Sequence, residues 1–128
     1  MRYLLDTHIL LWAIRNEPEL KKEVKEAIVN PANQIFVSVV SEWEVAIKSN
    51  IGKLKLKPDF AAFAKLVDEL GVVRISVERE HLELYEKLPL HHRDPFDRML
   101  IAQAKAEGLT IITHDKNFKG YRAKVLWN

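Results

Sequence analysis

The feature that most constrains this chain is a repeated change of hydrophobic period. Short, mainly apolar runs at Tyr3-Leu4-Leu5, Ile35-Phe36-Val37, Val72-Val73-Arg74-Ile75 and Leu109-Thr110-Ile111-Ile112 alternate with longer stretches of helical spacing. The first pattern reads as strand and the second as amphipathic helix. A parallel strand connection needs a crossover of a dozen or more residues, usually a helix, so this alternation predicts a parallel sheet. Strands covered by helices on both faces read as near-continuous apolar runs, as these do. The expected fold class is three-layer α/β/α with a small central parallel sheet of four strands, and Val125-Leu126-Trp127 as a short fifth.

The intervening helices have their own punctuation. Thr7 opens a short one through Leu10, Leu11 and Ile14; a second follows Pro18 at an early position, with Leu20, Val24, Ala27 and Ile28 on one face. Ser38 or Ser41 caps a helix carrying Trp43, Val45 and Ile47, ended by Asn50 and Gly52. Phe60, Phe63, Val67 and Leu70 line the next, stopped by Gly71, and Ser76 starts another with Leu82 and Tyr85. Pro89 to Pro95 is a loop, and Pro95 to Glu107 is the last helix, with Gly108 past its end. No repeat or linker divides the 128 residues, so 1–128 reads as a single domain. No apolar stretch approaches the roughly 18–20 residues that span a bilayer. Asp6 and His8 interrupt any signal-peptide core. The absence of cysteine leaves no disulfide framework or thiolate metal site and suits a cytoplasmic location.

In an open parallel sheet, ligands bind beyond the carboxyl ends of the strands, where strand order reverses. Asp6 closes the first strand, and Asp115 lies just past the fourth. Glu44 lies early in the helix after the second strand, while Asp94 and Asp97 flank the start of the last helix. Strand ends and helix starts share one rim, so these acids can converge there. Converging carboxylates repel and drive one another toward protonation unless a cation joins them. Mg²⁺ takes oxygen ligands together with substrate phosphate, and such ions promote phosphodiester hydrolysis.

Each acid also has a purely structural role open to it. Asp6-Thr7 can cap the helix that follows. Ser41-Glu42-Trp43-Glu44 matches a capping box. Asp94-Pro95 fits an N-cap followed by Pro at the first helical position, Asp97 suits a helix dipole, and Asp115 suits a turn. Adjacent His91 and His92 on a regular element would point apart, which argues against a zinc site. His8 and His114 neighbour two of the acids, with phosphate contact or plain packing open to them. Trp12, Trp43 and Trp127 read as core or oligomer contacts rather than base-stacking platforms.

Taken together, the segments Leu4-Leu5-Asp6-Thr7-His8, Ser41-Glu42-Trp43-Glu44-Val45-Ala46-Ile47-Lys48, Gly52-Lys53-Leu54, His92-Arg93-Asp94-Pro95-Phe96-Asp97-Arg98-Met99-Leu100-Ile101-Ala102-Gln103-Ala104 and Thr113-His114-Asp115-Lys116-Asn117-Phe118 carry a signature. In this order and spacing they resemble the PIN-domain ribonucleases, in particular the VapC-type toxins of VapBC toxin–antitoxin pairs. The similarity runs from Met1 to about Val125.

The resemblance implies a PIN-like fold and an endoribonuclease dependent on Mg²⁺ or Mn²⁺, leaving 5′-phosphate and 3′-hydroxyl ends. It carries Asp6, Glu44, Asp97 and Asp115 onto the acidic quartet. Asp6, Asp97 and Asp115 would serve the metal ion, and Glu44 would orient or deprotonate the attacking water. Glu42 is the competitor for that place, and the Trp-Glu order favours Glu44. Thr7 and Thr113 would orient carboxylates or water. Arg98 would pair with Asp94, Asp97 or a substrate phosphate. An RNA substrate, a cognate VapB-like antitoxin and a homodimer are the implied partners, with no membrane involved.

Two other function classes were weighed. A phosphatase of the haloacid-dehalogenase kind typically needs a second Asp two residues after the first, where this chain has His8. A non-catalytic module, either a receiver or a PIN-like scaffold, fits poorly: the third strand runs into Ser76-Val77, and all four quartet positions are acidic. A net charge of +2 is too slight to indicate nucleic-acid binding by itself. Under the nuclease reading, however, Lys48, Lys53 and Lys55 are expected to hold the RNA backbone.

Overall fold

The computed structural model describes residues 1–128. In chain order the elements are β1 (Arg2–Leu5), α1 (Thr7–Arg15), α2 (Lys22–Val29), β2 (Gln34–Ser38), α3 (Val39–Asn50), α4 (Phe60–Glu69), β3 (Val73–Ile75), α5 (Arg79–Glu86), α6 (Pro95–Glu107), β4 (Thr110–Thr113), a 3-10 turn (Lys116–Phe118) and β5 (Val125–Trp127). The strands lie in the order β3-β2-β1-β4-β5. Every pairing is parallel. The chain thus begins at the centre of the sheet, builds outward to β3, and crosses back to place β4 on the other side of β1. The reversal of strand order between β1 and β4 leaves a crevice above their carboxyl ends, because the connections leaving these neighbours diverge.

Side chains on a strand alternate between faces, and each face has its own core. Tyr3, Leu5, Ile35, Val37 and Ile112 pack with Ile9, Leu10, Val24, Ile28, Val45, Phe63 and Val67 of the first four helices. Leu4, Phe36 and Ile111 point the other way, against Leu100, Ile101 and Ala104 of α6 with Leu88, Phe118 and Tyr121. Both members of the pairs Leu4-Leu5 and Ile111-Ile112 are therefore fully buried. This double burial explains why the central strands carry continuous apolar runs. The edge strand β3 is mostly exposed and shows no such burial.

Two helix starts differ from the sequence expectation. The helix after Pro18 begins only at Lys22, and Leu20 reaches the core from the preceding turn. That turn is held from the far end of the chain, where Asn128 Oδ1 accepts from the Lys21 N–H at 2.8 Å. The helix after β3 begins at Arg79 rather than Ser76. Its start is set by His81, whose Nδ1 accepts from the Glu78 N–H at 2.9 Å while Nε2 meets Glu107 Oε1 at 3.0 Å. No helix is long and apolar enough to cross a membrane.

Replacing Ile112, which has no exposed surface, with Ala is expected to cost about 2–5 kcal/mol through lost burial and a residual cavity. The same change at exposed Val73 on β3 should cost about 0.5 kcal/mol or less. Urea unfolding of the two variants checks the contrast.

Candidate metal centre

Asp6 stands where β1 gives way to α1. Its backbone N–H continues the sheet by donating to the Ile112 carbonyl at 3.1 Å. Its Oδ1 caps α1 by accepting from the Ile9 N–H at 2.9 Å. Oδ2 faces β4 and accepts from Thr113 Oγ1. Thr113 Oγ1 in turn accepts from the Asp115 N–H at 3.0 Å. Capping therefore engages one carboxylate oxygen, and the Thr113 hydroxyl engages the other. Asp115 is partly buried, and its Oδ1 caps the 3-10 turn by accepting from the Asn117 N–H at 2.9 Å.

Ser38, at the end of β2, caps α3 through Oγ, which accepts from the Val40 N–H at 3.0 Å. Ser41 consequently lies inside the helix, and the capping box expected between Ser41 and Glu44 does not form. Glu44 is free to enter the crevice, where Oε1 accepts from Thr7 Oγ1 at 2.7 Å. Thr7 Oγ1 also lies 3.1 Å from Ser41 Oγ. A hydroxyl has one hydrogen, so with Thr7 donating to Glu44, Ser41 donates to Thr7. Lys48 Nζ holds the other Glu44 oxygen at 2.9 Å. Lys48 is thus engaged at the acid cluster, whereas Lys53 and Lys55 are exposed beyond the end of α3. Glu42 turns away to pair with Arg74 of β3, which leaves Glu44 as the α3 acid in the crevice.

The last helix supplies the opposite wall. Asp94 Oδ1 accepts from the N–H groups of Phe96 and Asp97 at 2.8 and 3.1 Å, with Pro95 at the first helical position. Asp97, one turn in, receives His92 Nε2 on Oδ2 at 2.8 Å. Ligand-type atoms of His92, Asp94 and Asp97 all lie within 4.8 Å of one another. The two histidines diverge: His91 packs on Tyr121 with ring centroids 5.2 Å apart, and only His92 joins the acids. The expectation that adjacent histidines point apart argued against a zinc site but did not assign His92 a place at the acids, because the pair lies in a loop rather than on a regular element. Its presence in the His92–Ala104 signature was the signal available.

Arg98 does not meet any of these acids. Its guanidinium is buried and donates to the carbonyls of Pro89 (2.8 Å), His92 (3.2 Å) and Leu88 (3.4 Å) and to the Tyr121 hydroxyl (3.2 Å). The physical reason is helix phase. Arg98 lies on the side of α6 that faces the 88–92 loop and the Tyr85 ring, 5.0 Å away. Of the tryptophans, Trp12 packs against the core as expected, while Trp43 and Trp127 do not. Trp43 is exposed, Trp127 lies at the surface near Lys119, and Trp12 forms an aromatic group with His8 and exposed His114.

Burial, above all, raises the Asp6 carboxyl above the usual range, against the opposing effects of Thr113, the Ile9 N–H, His8 and His114. Asp97 is pushed up to about 7, first by burial and then by Asp94, Asp6 and Glu44, while the His92 hydrogen bond works in the opposite direction. Acids held toward protonation by burial and, at Asp97, by neighbouring acids, beside further oxygen donors, fit a hard divalent cation. The residues present therefore suit such an ion, and Asp97, Asp94 and His92 are the ones whose ligand-type atoms group together.

Because folding raises these acids' pKa values, the folded state favours their protonated forms. The associated stability is present at low pH and is lost as pH rises through about 7. Without metal, the protein is expected to unfold more easily at about pH 8 than at about pH 5.5, by on the order of 1–4 kcal/mol. Asp97→Asn should remove most of that difference, and added Mn²⁺ should stabilise the wild type more at the higher pH. Chemical denaturation at both pH values checks all three outcomes.

Comparison with known proteins agrees with this architecture. The PIN domain profile matches residues 3–124. Ribonuclease VapC22 of Mycobacterium tuberculosis is 26% identical over 122 residues, covering 93% of this chain and 91% of that relative. The fold is similar to that in the VapBC2 complex of Rickettsia felis bound to a DNA fragment from its promoter, with a TM-score of 0.77 at 20% identity over 99% of this chain and 98% of the other. It is also similar to the DNA-bound VapBC of Salmonella typhimurium, with a TM-score of 0.74 at 16% identity over 99% and 98%. With the profile spanning nearly every residue, and the sheet order and acid-lined crevice in place, this chain belongs to the PIN domain family.

Proposed function

We propose that the protein is a divalent-metal-dependent endoribonuclease, the VapC-type toxin of a toxin–antitoxin pair acting in the cytoplasm. The observation that carries this reading is the gathering of acids at the β1/β4 switch point: buried Asp6 just past β1, and partly buried Asp97 grouped with Asp94 and His92 within 4.8 Å at the start of α6. Mg²⁺ or Mn²⁺, when bound, supplies the Lewis acidity for hydrolysis of a phosphodiester. Asp6 and Asp97 would hold the ion, with Asp115 near it from beyond β4. Glu44 accepts a proton from the attacking water, and its carboxylate is fixed by Thr7 on one oxygen and Lys48 on the other. The water oxygen bonds to phosphorus as the bond to O3′ breaks and the departing O3′ takes a proton from solvent, giving a 5′-phosphate and a 3′-hydroxyl.

Two further features support the partners. Lys53 and Lys55 are exposed, and Arg15 donates to the Lys55 carbonyl at 2.8 Å, so the three residues form a basic surface for the RNA backbone. An apolar groove between α3, α5 and α6, lined by Val40, Trp43, Val77, Leu82, Phe96 and Met99, suits the apolar core of a homodimer interface. A VapB-like antitoxin would silence the enzyme by laying a helix on the toxin and placing a basic side chain among the acids.

Purified protein incubated with total RNA and Mg²⁺ or Mn²⁺ should make discrete cuts with 5′-phosphate ends, and EDTA should abolish them. Asp6→Asn and Asp97→Asn should remove cleavage, and Glu44→Gln should slow it about 10²–10⁴-fold as a lost general base. Absence of cutting by folded wild type across a broad RNA pool would favour a non-catalytic scaffold. In the inactive Asp97→Asn background, neutralising Lys53 and Lys55 should weaken RNA binding. It should also reduce the slope of log affinity against log salt by about 1–2. An unchanged slope would remove these lysines from the interface.

A further inference from the structure

The acid cluster includes one nitrogen ligand-type group that the quartet does not account for. His92 lies in the loop before α6, partly buried, with Nε2 2.8 Å from Asp97 Oδ2. With Asp97 ionised, the imidazole is the only possible donor, so Nε2 carries the hydrogen. The backbone of this residue is unusually well fixed for a loop. Its N–H donates to the Tyr121 hydroxyl at 2.6 Å, and its carbonyl accepts from that hydroxyl at 3.1 Å and from Arg98 at 3.2 Å. Tyr121 and Arg98 are themselves almost fully buried and bonded to each other at 3.2 Å. A loop residue held by a side chain from α6 and another from near β5 has little freedom to swing its ring away from Asp97.

Carboxylates that bind metals are commonly oriented by a hydrogen bond from behind, and losing such a bond typically costs about 10–100-fold in metal affinity or activity. The geometry points to His92 as a positioning residue for Asp97, with the buried Arg98–Tyr121 pair as its mount. This assignment rests on the reading of the crevice as a cation site. By holding Oδ2, His92 fixes the carboxylate plane and leaves Oδ1 as the oxygen available to the ion. Arg98 thus serves the site at two removes, without contacting substrate or metal.

The test is Mn²⁺ binding by the full chain, followed by the loss of the free-ion paramagnetic resonance signal, with RNA cleavage measured alongside. Wild type, Asp97→Asn, His92→Phe, His92→Gln and Tyr121→Phe are compared after circular dichroism confirms folding. His92→Phe should weaken Mn²⁺ binding about 10–100-fold and lower kcat while leaving KM for RNA little changed. His92→Gln, whose amide can reach the same acceptor, should restore most of the loss. Tyr121→Phe should show a smaller loss in the same direction. Mn²⁺ binding that is lost in Asp97→Asn yet unchanged in His92→Phe overturns the positioning role alone. Failure of the wild type to bind Mn²⁺ overturns the cation site and the positioning role with it.

Discussion

The bond between Asp6 and Thr113 joins the two strands on which everything else is arranged. Asp6 ends β1 and Thr113 ends β4, the pair between which strand order reverses. One oxygen of Asp6 starts α1, and the other meets β4, so a single buried carboxylate fixes a helix start and spans the crevice. The remaining acids are carried to it by helices whose starts lie on the same rim. Ser38 rather than Ser41 begins α3, and that choice releases Glu44 toward Thr7. Asp94 begins α6 and so sets Asp97 in its first turn. Helix capping and site building are here the same set of contacts.

Such a cluster is a local liability for folding. Each buried carboxylate gives up hydration, and each added neighbour makes ionisation of the others harder. The two apolar cores, one on either face of the sheet, supply the stability that allows this arrangement to persist. The buried Arg98–Tyr121 assembly has a different task. Five hydrogen bonds between these two side chains and backbone groups of residues 88–92 hold a loop that lacks regular structure. Rigidity near the acids is therefore obtained from polar groups placed outside the crevice.

The central fold was legible because double burial leaves a direct trace: Leu4-Leu5 and Ile111-Ile112 are apolar on consecutive positions. The site was legible as a set of acids at strand ends and helix starts, since the direction of a parallel sheet dictates where those lie. Contacts across the chain were not. Asn128 fixing the turn before α2, and Arg98 turning to the 88–92 loop, depend on phases and distances that local pattern does not encode. The place of His92 beside Asp97 was not legible for the same reason, because its loop is held by Tyr121, nearly thirty residues away. Glu42 and Glu44 were separable only by the family's residue order until Arg74 was seen to take Glu42.

The central placement of β1 has a consequence for the order in which the protein comes into being. β1 lies in the middle of the sheet, and its partner on one side, β4, is synthesised long after it, since Asp6 and Thr113 are 107 positions apart. Contacts this distant in sequence form late, after the entropy of a long closing loop has been overcome. A growing chain on the ribosome can assemble β1, β2 and β3 with their helices, yet its acids have no β4 to face. Until β4 emerges, at the very place where RNA is most abundant, the domain lacks the wall against which a reactive pocket would close.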